Sequence, residues 1–152
     1  MKKNSQKIKV TGFIRKNPYA KLKKTMHVIF KNKPAEYNGY IAVRDDIWLV
    51  DKYVGDYGYD ELDELFIHHN LVVHGGFTFK ILMKNLKDDI DEFVGEIPKR
   101  TTRYIVFGWD YMHTGDNLQL YPKEKIINEV KQAIEDMEKL IKLSENLKLL
   151  KS

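Results

Sequence analysis

From Pro122 onward the apolar residues fall on one side of a helix, and nothing earlier in the chain repeats that period. Ile126, Val130, Ala133, Met137, Leu140 and Leu147 recur at three- and four-residue steps, and Ser144 interrupts the series. Ile127, Ile134 and Ile141 widen the stripe, while Lys and Glu fill the opposite face. Pro122 suits the first helical position, because its missing N–H would have no partner there. The pattern predicts a C-terminal helix within 122–150, about 25 residues or roughly 37 Å long. A stripe this apolar needs something to cover. Its second half outruns a domain of this size, so it frays or pairs with another copy, making the C-terminal helix a candidate homodimer contact.

The residues before it read as strands. Residues 7–15 alternate apolar and polar, and 25–31 form a second β-rich run beyond the Asn17-Pro18 turn. Residues 38–43 read as a third strand. Residues 77–83 form another, and 101–109, β-branched and aromatic throughout, form the clearest. Asp60 suits an N-cap for a short helix near 60–66. Residues 84–101 read as an excursion between two paired strands, and 111–121 as loop. The expectation is a single α+β domain over 1–152, mainly β through residue 121. A meander-like antiparallel sheet of four to six strands packs against the long helix.

The 152 residues include no cysteine, which excludes disulfides, thiolate metal sites and cysteine nucleophiles. No apolar run approaches the roughly 20 residues of a membrane span, and no apolar core follows the basic first residues, so no membrane partner and a cytoplasmic location are expected. The net charge of +4 is unevenly spread. Residues 1–35 carry eleven Lys or Arg and no acid, whereas 44–66 carry eight acids against Arg44 and Lys52. Segregation of this kind steers polyanions, so residues 1–33 are a candidate nucleic-acid contact. Against this, Phe13, Tyr19 and Phe30 are too few and scattered for a stacking platform. Mutual neutralisation or simple solvation of the two blocks is the plainer alternative.

Two glycine breaks hold the polar groups able to do chemistry. In the first, His74 precedes Gly75 and Gly76, and Thr78 follows. A glycine pair lets backbone approach a ligand and turns N–H groups outward. The alternative is a tight corner with His74 bonded to backbone. In the second, Asp110, His113 and Asp116 are spaced by threes, and Asp110 is placed to orient His113 and fix its tautomer. The alternative is a carboxylate-rich turn that stabilises only itself. His74, His113, Asp110 and Asp116 have the composition of a metal site, but their spacing matches no metal signature, and none is assigned. Trp109 is pocket lining or core. Arg103 pairs with a phosphate or is a solvated strand-end residue. There is no phosphate-binding loop, nucleophile elbow or kinase signature.

Gly39-Tyr40-Ile41, Tyr57-Gly58-Tyr59-Asp60, His74-Gly75-Gly76-Phe77-Thr78-Phe79 and the run from Gly108-Trp109-Asp110 to His113 and Gly115-Asp116 together resemble a family of small, largely uncharacterised bacteriophage and prophage proteins. The resemblance covers about residues 38–118. Phe77 stands where the family pattern has Leu, and Trp109 where it has Phe. It implies phage origin and a shared site but brings no activity with it.

Two classes of function follow. One is a binding protein that captures a nucleotide-like ligand or a host defence protein, with counter-defence in the host cytoplasm as the setting. Here Gly75, Gly76, Thr78, Trp109, Asp116 and Arg103 contact the ligand. The other is a hydrolase or lyase for a phosphorylated small molecule or nucleic acid, with His113 as base, Asp110 orienting it and His74 as acid. No cofactor is specified. The missing nucleophile and metal set favour binding.

Overall fold

The computed structural model describes residues 8–18, 33–47, 66, 70–83, 86, 90–98, 103–112 and 115–151, with helix side chains described through residue 143 and at 145. Five strands precede the helix: β1 (Val10–Lys16), β2 (Tyr37–Arg44), β3 (Phe79–Met83), β4 (Glu92–Val94) and β5 (Tyr104–Trp109). The helix α1 spans Lys123–Lys151. The strands form one sheet in the order β3-β5-β2-β1-β4, and every pairing is antiparallel. The chain is therefore α+β, with an open antiparallel sheet and a C-terminal helix.

The strand order departs from a simple meander. Among the described strands, only β1 and β2 pair as sequence neighbours. Between β3 and β5, which pair directly, the chain crosses to the far edge and lays down β4 against β1. The excursion expected over 84–101 thus contains a strand. Three residues, Glu92-Phe93-Val94, are too short to show a period, and pairing with β1 rather than local preference makes them a strand. The strand expected over 25–31 and most of the helix expected near 60–66 lie outside the described residues. Phe66 is helical and buried.

Alternation along the strands sorts side chains to two faces. Val10, Ile14, Ile41, Val43, Ile105, Phe107 and Trp109 join the cluster that includes Ile126, Val130, Ala133, Met137, Leu140 and Ile141 of α1. The stripe expected from the sequence is the buried stripe observed, up to Ile141; the side chain of Leu147 is outside the described set. At Gly12 a Cβ would come within 2.5 Å of Val130 Cγ1, so the helix sits directly on the β1 backbone. The other face has its own cluster of Phe13, Ala42, Leu86, Tyr104 and Val106, edged by Tyr40 and Phe79. Phe13 stacks on Tyr40 at 4.9 Å. The helix begins where Pro122 O accepts the N–H groups of Lys125 and Ile126. That places Pro122 at the cap, one residue before the helix starts at Lys123, rather than at the first helical position expected of it. Among the described residues, no helix is long and apolar enough to cross a membrane.

Candidate functional site

The first glycine break is a turn, and the residues before it are not a strand. Leu71 and Val73 are buried and Val72 is exposed, as in a strand, yet the segment joins no ladder. The turn closes where Gly76 N–H donates to Val73 O at 3.0 Å, leaving His74 and Gly75 at its corner. Gly75 and Gly76 have φ of 71° and 79°, a region that favours glycine at such corners. The Gly76 N–H is consumed by the turn. The glycine pair serves to present His74 more than to offer its own donors.

His74 then meets partners from three other places in the chain. Nε2 lies 2.8 Å from Asp116 Oδ2, and the Asp116 side chain is only 6% exposed. Nδ1 lies 3.3 Å from the Tyr121 hydroxyl. The imidazole stacks on Tyr111 with ring centres 5.1 Å apart and planes 6° from parallel. Tyr121 closes the group, 4.5 Å from His74 and 4.8 Å from Tyr111. A carboxylate only accepts, so Nε2 carries the proton facing Asp116, and in neutral imidazole Nδ1 accepts from Tyr121. The result is a carboxylate–imidazole–phenol chain with the ring plane set by stacking.

Below the ring lies Glu129 of α1. Its Oε1 accepts the His74 backbone N–H at 3.2 Å and the Tyr111 hydroxyl at 2.5 Å. Trp109 Nε1–H donates to the same Tyr111 oxygen at 2.8 Å. Burial first, and then the bond to Glu129 and its charge, push the Tyr111 phenol far above its ordinary range. The Tyr121 phenol is also raised, by desolvation and by the Asp116 and Glu129 carboxylates. Glu129 is a site residue that the sequence does not mark out, because it reads there as part of the charged face of the helix. A signal was present: Glu129 occupies the i+3 place of the stripe Ile126, Val130, Ala133.

Register explains why the glycine motifs sit where they do. Gly39 pairs with Trp109, and Tyr40 with Gly108. A Cβ on Gly39 would lie 2.5 Å from Trp109 Cζ2, and one on Gly108 would lie 2.6 Å from Tyr40. Each glycine makes room for the aromatic ring opposite, one ring on each face of the sheet. The interlock pins Trp109, and Trp109 pins Tyr111.

The remaining expected residues divide between places. Thr78 Oγ1 donates to Asp110 Oδ2 at 3.4 Å, and Asp110 Oδ1 accepts the Met112 N–H at 3.1 Å, capping the turn after β5. Asp110 also bears on the Tyr40 phenol, which burial chiefly raises and Arg15 opposes. Arg103 pairs with Asp45 at 2.8 Å. It precedes β5 while Asp110 follows it, roughly 20 Å apart at the rise of a strand. Arg103 is therefore at the opposite end of β5 from Tyr111 and His74. His113 lies outside the described residues, so the expected Asp110–His113 pair does too. The described histidine–carboxylate pair is His74–Asp116. Among the described residues, no group of three or more His, Asp or Glu is arranged to hold a metal ion.

A separate open groove of about 680 Å³ lies where β1 begins, against the second half of α1. Ile8, Val10, Ile134 and Ile141 line it, and none of its lining residues belongs to the His74 cluster.

The class defined by fold and site is an α+β protein with a His–Asp–Tyr cluster at the join of sheet, turn and helix start. Comparison with known protein families, curated proteins and solved structures found no match to this chain.

Proposed function

We propose that the chain is a binding protein that takes a nucleotide-like ligand at the His74 cluster. The observation that carries this reading is a group of packed rings ending in a cation at the start of α1. Lys125 Nζ lies 4.8 Å from the centre of the Tyr121 ring, and α1 begins two residues after Tyr121. Aromatic rings accept a base by stacking. The positive end of a helix and an exposed lysine accept phosphate. The setting that goes with the phage resemblance is counter-defence in the infected cell. Calorimetry with adenosine monophosphate and cyclic nucleotides tests the reading. Saturable binding is expected, with the ligand recovered intact and affinity reduced about tenfold or more in Tyr121→Ala, since stacking on one ring is worth ~1–3 kcal/mol. No binding by any nucleotide would end the proposal.

A second reading, hydrolase or lyase, is supported by the Asp116–His74–Tyr121 chain, which has the order of a proton relay. In it Asp116 orients His74, His74 accepts the phenolic proton and Tyr121 faces the substrate. Conversion of a bound nucleotide, lost in His74→Gln, would favour this reading over simple capture.

A further inference from the structure

We infer that Glu129 is the positioning residue of the His74 site; the inference rests on the reading of that cluster as the ligand site. One carboxylate oxygen takes two donors, the His74 backbone N–H and the Tyr111 hydroxyl. The first fixes where the turn presents the imidazole. The second fixes the ring on which that imidazole lies flat, 6° from parallel. The Tyr111 oxygen is in turn held by Trp109 Nε1–H from the end of β5. Helix, turn and sheet therefore meet through two bonded oxygens, Glu129 Oε1 and the Tyr111 hydroxyl, and position and plane of the imidazole are set together.

Packing alone does not account for a carboxylate here. The neighbours on the same stripe, Ile126, Val130 and Ala133, are apolar and buried. Glu129 is half-buried beside them, a place an apolar side chain would fill without giving up any hydration of a charge. What the carboxylate adds is an acceptor for two donors that would otherwise lose their partner, and both of them belong to the His74 group. Tying a loop to a helix would require one such bond. Holding a stacked imidazole in one plane requires both.

The test reads His74 without ligand. Stacking on Tyr111 gives the His74 ring protons ring-current-shifted NMR signals. Glu129→Ala is expected to lose these shifts and to weaken adenosine monophosphate binding roughly tenfold, as removing the acceptor of two hydrogen bonds would. Glu129→Gln keeps an acceptor oxygen and is expected to restore most of both. Where Glu129→Ala does not fold, Tyr111→Phe keeps the ring but removes the hydroxyl that Glu129 and Trp109 hold, and the His74 signals should shift from their wild-type positions. Unchanged His74 signals in Glu129→Ala or Tyr111→Phe overturn the inference, as does equal loss in Gln and Ala. If the signals depend on Glu129 while the wild-type chain binds no nucleotide, positioning stands and the nucleotide reading fails.

Discussion

Gly39→Ala is the substitution that most sharply tests how the sheet supports the site. The added methyl would sit 2.5 Å from Trp109 Cζ2 and 2.7 Å from Cε2, where carbon atoms prefer about 3.5–4 Å. Trp109 is 1% exposed and packs edge-on against Phe77 at 5.6 Å, so it has no free direction to swing. Overpacking of this kind costs about 1–3 kcal/mol. Displacing the indole also strains the 2.8 Å bond to Tyr111, a further ~1 kcal/mol. The total of about 3 kcal/mol lowers Tm by roughly 6–12 °C in a chain of this size. Gly39 is not among the residues with positive φ, so the loss comes from crowding rather than backbone strain. Thermal unfolding of Gly39→Ala, Trp109→Phe and the double variant measures it. The smaller Phe ring makes room for the methyl, so the double variant should be more stable than the sum of the single losses by at least ~1 kcal/mol. A Tm within about 2 °C of wild type in Gly39→Ala, or strict additivity in the double variant, would refute the interlock.

Three further outcomes are expected. Asp116→Asn removes the acceptor-only partner of His74 Nε2, so the imidazole loses its single tautomer in nitrogen–proton NMR correlations; an unaltered tautomer would contradict the assignment. Burial above all raises the phenols of Tyr40, Tyr104 and Tyr111 above 10.0. Their stabilisation is present below that pH and lost as pH rises toward the folded values. Phenolate absorbance should therefore show these three ionising only as the chain unfolds in alkali, not in a smooth titration of the folded state. Glu138 is raised first by partial desolvation and then by Glu135 and Glu96, so its charged form works weakly against the fold at neutral pH. Glu138→Gln should raise Tm at pH 7, and the gain should vanish by about pH 3, below the ordinary carboxylate range.

The long-period features of the fold were legible in the sequence. The α1 stripe from Ile126 to Ile141 repeats over four turns, and β1, β2, β3 and β5 are dense in β-branched and aromatic residues. Where the fold depends on non-local pairing, local reading fails. β4 has three residues and owes its existence to β1. Leu71 to Val73 alternate like a strand yet serve to lead into a turn. The same division holds at the site. His74, Asp116 and the glycine turn were visible as residue types at breaks in apolar runs. The pairing of His74 with Asp116 joins positions 42 residues apart, which no local spacing encodes. Glu129 was hidden because a charged residue beside a stripe is usually solvated, and only the donors brought by Tyr111 and His74 give it a half-buried role. The interlock of Gly39 with Trp109 and Gly108 with Tyr40 follows from strand register, which the separate runs Gly39-Tyr40-Ile41 and Gly108-Trp109-Asp110 do not encode.

The proposed binding function places the ligand at the His74 cluster. Titration with adenosine monophosphate, followed by NMR at the His74 imidazole, tests it most directly. A saturable shift of the His74 and Tyr121 ring signals with one affinity is expected, and no such shift of His74 in Tyr121→Ala. Nucleotide binding that leaves these rings unmoved, or that moves only residues lining the groove at Ile8 and Ile141, would contradict it.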